Sequence, residues 1–63
     1  MTQREMMRRL LQRYGRNREQ VIQAYANAER RGEVRRKNNT HGLSPETYAA
    51  ALFADGLRKG WFR

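Results

Sequence analysis

Three times this chain sets a capping side chain ahead of an amphipathic stretch and a glycine behind it: Thr2 and Gly15, Asn17 and Gly32, Ser44 and Gly60. The free amide groups at a helix start need a side-chain oxygen, and glycine tolerates the left-handed turn that closes a helix. The pattern predicts helices over about 3–14, 18–31 and 45–59, and so an all-α, compact three-helix domain.

Each stretch also carries its own apolar stripe. In the first, Thr2 and Glu5 have capping-box spacing, and Met7, Leu10, Leu11 and Tyr14 recur every three or four residues. In the second, Asn17 precedes Gln20 by three, and Val21, Ile22, Tyr25 and Ala28 form the inner face. The third is the most explicit. Ser44 caps, Pro45 takes the first helical position, and Leu43 and Tyr48 stand where a hydrophobic staple would join. Its inner face reads Tyr48, Ala49, Leu52, Phe53, Gly56 and Leu57, and Trp61 with Phe62 should fold back onto the core. Between helices 2 and 3, residues 33–42 show no period and read as a basic loop, with a short wing through Val34 as an alternative.

At 63 residues the chain makes a single small helical domain, 1–63. Only ten residues are Leu, Ile, Val or Phe against a formal charge of +8, a balance close to that of disordered chains. The ordered capping pattern argues for a fold. Cysteine is absent, so no disulfide or thiolate-metal site supports the core. The first eleven residues lack the apolar run of a signal peptide, and no segment approaches the ~18 apolar residues of a membrane span. The expectation is a cytoplasmic protein with no membrane contact.

Catalysis finds little support in the residues. One His and six scattered carboxylates give no nucleophile beside a base and no set of three or four metal ligands. The chain reads as a non-enzyme without cofactor or metal.

The charge speaks instead for a polyanionic partner. Five of the eight residues from Arg30 to Lys37 are cationic, and twelve of the fourteen cations are Arg, whose planar fork suits phosphate and guanine. Leu10, Gly15 and Val21 follow the order of a helix-turn-helix unit, although Leu11 stands where a small residue is usual. With the apolar stripe of helix 2 turned inward, Gln20, Gln23, Asn27 and Arg30 line the outer face, where amides can pair adenine and Arg can pair guanine. Arg16, Asn17 and Arg18 would meet phosphate at the helix N-terminus, and Arg30, Arg31, Arg35, Arg36 and Lys37 would grip the backbone. Arg4, Arg8, Arg9 and Arg13 form a second basic set on helix 1. The plain alternative is a solvated polar surface that keeps a small fold dissolved.

The layout is similar in a general way to the compact DNA-binding regulators of bacteria and their phages, which implies duplex DNA as partner and transcriptional regulation as role. A homodimer would enlarge the interface of so small a unit. Two other readings stay open: a protein-interaction adaptor or inhibitor docking on an acidic partner surface, and RNA binding through the Arg-rich loop.

Overall fold

The computed structural model of the chain describes residues 1–35 and 42–61. It contains three helices, α1 (Gln3–Tyr14), α2 (Arg18–Arg30) and α3 (Pro45–Lys59), with no strand among the described residues. Every expected N-terminal cap is in place. The side chains of Thr2, Asn17 and Ser44 accept from the backbone amides of Glu5, Gln20 and Thr47, each at 3.2 Å.

The helix ends show how glycine positions the chain that follows. After α2 the amide of Gly32 donates to the Glu29 carbonyl and that of Glu33 to the Ala28 carbonyl, with Gly32 at φ +75°. This paired closure is a Schellman motif, and it swings the chain back over the helix end. Val34 is thereby buried to 3% exposure and joins the core. α3 ends in the same way: Trp61 donates to the Gly56 carbonyl, and its ring lies half-buried against the core. Phe62 and residues 36–41 of the expected loop lie outside the described residues.

Gly15 departs from the expected left-handed cap. It has φ +66° but ψ −141°, a combination that side chains with a Cβ avoid. Nothing lies within 4 Å of where its Cβ would stand, so the strain of a substitution is confined to the backbone. Gly15→Ala is expected to lower unfolding stability by ~1–3 kcal/mol. An unchanged urea midpoint would show that the link between α1 and α2 can relax.

The core joins all three helices. Met6, Met7 and Leu10 of α1 meet Val21, Tyr25 and Ala28 of α2 and Ala49, Leu52 and Phe53 of α3. α2 is the central helix and packs most extensively on α3. Buried small residues, Ala26 and Ala28 on α2 and Ala49 and Gly56 on α3, suit a close approach between these helices. The Cα radius of gyration, 10.6 Å, is that of a close-packed chain of this length.

The inward stripes need two corrections. Met6 is buried although the stripe was expected to begin at Met7, and Leu57 is 58% exposed although it was placed inside. At 100° per residue Leu57 falls roughly 90° from the centre of the arc made by Ala49, Leu52, Phe53 and Gly56, which takes it past the contact with α2. Leu43, the outer half of the expected staple, is 39% exposed.

Candidate functional site

A groove of about 580 Å³ runs between α1 and α2. Met6, Leu10, Ala24 and Ala28 are among its apolar lining residues, and Arg9, Arg13 and Tyr14 line it from α1. Gln20, Gln23 and Asn27 line it from α2, with Arg31 and Glu33 just beyond that helix. The amide row predicted from sequence thus shares one surface with Arg9 and Arg13, two of the four members of the second basic set. The helical repeat explains this. Arg9 and Arg13 are one turn apart on one flank of the buried stripe of α1, and Gln20, Gln23 and Asn27 follow the neighbouring edge of α2. Glu19 is also exposed on α2, close to its N-terminus.

Polar contacts organise the face. The Arg13 guanidinium lies 5.4 Å from the centre of the Tyr14 ring, a cation–π contact that steadies it at the groove edge. Asn17, expected both to cap α2 and to meet phosphate, accepts from the Gln20 amide through its side-chain oxygen. Arg16 and Arg18 are exposed on either side of it.

Arg30 differs most from expectation. It donates to Asn27 Oδ1 at 3.1 Å and forms an ion pair with Glu46 of α3, where the sequence suggested a free reading side chain. Arg31 pairs with Glu33 at 3.0 Å, because the turn at Gly32 brings the carboxylate back beside it. Two of the cations in the basic run are therefore compensated internally. Arg35 is exposed, and Arg36 and Lys37 lie outside the described residues.

The carboxylates register this pairing. Glu33 is held below the ordinary carboxylate range by its hydrogen bond from Arg31, with Arg9 adding to the effect. Glu46 is lowered first by Arg30, then by its own backbone amide in the first turn of α3, and also by Gln23. Asp55 is lowered by Lys59 and Arg58, each 2.8 Å away. These pairs are partly exposed, so each adds little to stability.

Among the described residues the cations outside ion pairs are consequently not confined to the run. Among the described residues no ion pair engages Arg4, Arg8, Arg9, Arg13, Arg16, Arg18 or Arg35. Arg4 instead lies 6.0 Å from the Trp61 ring centre, with Lys59 at 5.6 Å. Arg9 and Arg13 were outside the contact set predicted for helix 2 and the loop. Their four-residue spacing on a helix was the signal for their common direction.

Among the described residues no three His, Cys, Asp or Glu side chains converge as a metal site would require, and no helix is long and apolar enough to cross a membrane. Comparison with known protein families, with characterised proteins and with solved structures finds no match.

Proposed function

We propose that this chain binds nucleic acid, with duplex DNA as the partner and the α1–α2 face as the contact surface. The observation that carries the reading is the convergence, along one groove, of Arg9 and Arg13 with the amides of Gln20, Gln23 and Asn27. Guanidinium groups that no ion pair engages among the described residues bind phosphate by releasing its condensed cations. A row of amides beside them offers donors and acceptors for base edges.

In this reading Arg9, Arg13, Arg16 and Arg18 meet phosphates while the outer strip of α2 faces the bases. Arg31 and Arg35 lie beyond the far end of the same helix and can extend the contact along the backbone. Duplex DNA is favoured over RNA because the B-form major groove admits an α-helix, whereas the A-form major groove is too narrow. Control of transcription is the role such a small DNA-binding unit would serve.

The test is a titration of labelled duplex DNA, single-stranded DNA and hairpin RNA at two salt concentrations. Tighter binding of duplex, weakening steeply with salt, is the expected result. Preference for hairpin RNA would transfer the function to RNA. Absence of binding in every pool, with retention of an acidic protein after nuclease treatment, would replace the reading with that of an adaptor.

A further inference from the structure

Four side chains form a continuous hydrogen-bonded chain from α3 to the outer strip of α2. Arg30 donates through Nη2 to Glu46 Oε2 and through Nη1 to Asn27 Oδ1, at 3.1 Å in the second case. Gln23 donates through Nε2 to the same Asn27 oxygen, at 3.2 Å. The chemistry of the first two members fixes the direction of the rest. An ionised carboxylate only accepts and a guanidinium only donates, so Asn27 must turn its carbonyl oxygen toward Arg30. Two donors then occupy both lone pairs of that oxygen, and Gln23 must offer its NH₂ group. What remains for an incoming partner is Asn27 Nδ2 as a donor and Gln23 Oε1 as an acceptor.

We propose that Gln23 and Asn27 form an adenine-reading pair for the major groove of DNA, with Arg30 and Glu46 as positioning residues that set its polarity. The inference rests on the DNA-binding function proposed above. Among single bases, adenine alone presents a donor, N6, beside an acceptor, N7; guanine offers two acceptors, thymine one acceptor and cytosine one donor. Gln23 Oε1 accepts from N6 while Asn27 Nδ2 donates to N7. Asn27 could not read adenine in the usual bidentate way by itself, because its oxygen is already taken. The ion pair with Glu46 also holds Arg30, the natural guanine reader of this face, away from the bases.

Selection from a library of random duplexes tests the pair, using the unaltered protein, Asn27→Ala, Glu46→Ala and Glu46→Gln, with helical content checked by circular dichroism. The unaltered protein should enrich adenine at one position by roughly tenfold, and Asn27→Ala should lose that enrichment. Both Glu46 variants remove the ion pair that holds Arg30 and should shift enrichment from adenine toward guanine. Glu46→Gln keeps the side-chain shape in the first turn of α3, so a result shared by the two variants reports on the ion pair. Duplex binding without base enrichment, or an adenine preference unmoved in both Glu46 variants, would overturn the reading pair and leave DNA binding standing. Failure to bind any duplex would overturn both.

Discussion

Replacing Tyr25 by alanine is expected to leave the chain largely unfolded, whereas Tyr25→Phe should be at least as stable as the unaltered protein. Tyr25 has no solvent exposure and heads the fully buried side chains, ahead of Met7 and Val21. Truncating a buried aromatic costs ~3–5 kcal/mol, and a domain of this size has a total stability of only about 3–9 kcal/mol. The ring is what the core needs. The buried hydroxyl has Gln3 nearby but no well-formed hydrogen bond among the described residues, so its removal should cost little and can recover up to ~1 kcal/mol.

The same hydroxyl gives stability an alkaline limit. Burial pushes the Tyr25 phenol well above its ordinary value of 10.0, with Tyr48 and Glu29 adding to the effect and Gln3 opposing it. The protonated phenol is thus favoured in the folded state, and its contribution is complete below the unfolded value. As pH rises through and above about 10, the unfolded chain gives up this proton first and the folded state loses ground. Urea melts at neutral and alkaline pH should show this loss in the unaltered protein and much less of it in Tyr25→Phe. If Tyr25→Phe proves less stable than the unaltered protein by more than ~1 kcal/mol, the hydroxyl makes a bond and the argument fails.

Tyr25, the caps and the helix bounds were legible in the sequence because they depend on neighbours within one helical turn. Thr2, Asn17 and Ser44 each find their amide three residues on, whatever the rest of the chain does. Contacts across the fold were not legible in the same way. Arg30 and Glu46 are sixteen positions apart, and nothing in either local sequence indicates that α3 would bring a carboxylate to the end of α2. The burial of Val34 follows from the turn at Gly32, a geometry that a polar, aperiodic segment conceals. Leu57 misled because apolar character alone does not say where on a helix the contact ends. The site was legible in part for the same reason: Gln20, Gln23 and Asn27 follow from the period of α2, but their partnership with Arg9 and Arg13 requires the packing of α1 alongside.

That partnership sets the largest effect expected for binding. With four phosphates neutralised, by Arg9, Arg13, Arg16 and Arg18, affinity for duplex DNA should fall roughly a hundredfold between about 50 and 200 mM salt. Substituting Arg9 and Arg13 together by alanine should flatten the slope of log affinity against log salt by about two. Both side chains flank the buried stripe of α1, and neither is in an ion pair among the described residues, so the fold should tolerate the change. Arg31→Ala provides the critical comparison. Arg31 lines the same groove but already shares its charge with Glu33, so it should contribute less to the slope than Arg13 does. The position of a guanidinium near the groove is then less decisive than whether the protein has already given it a counter-charge. A slope carried by Arg31 and Arg35, and unmoved in the double variant, would place the contact surface at the end of α2 instead of between α1 and α2.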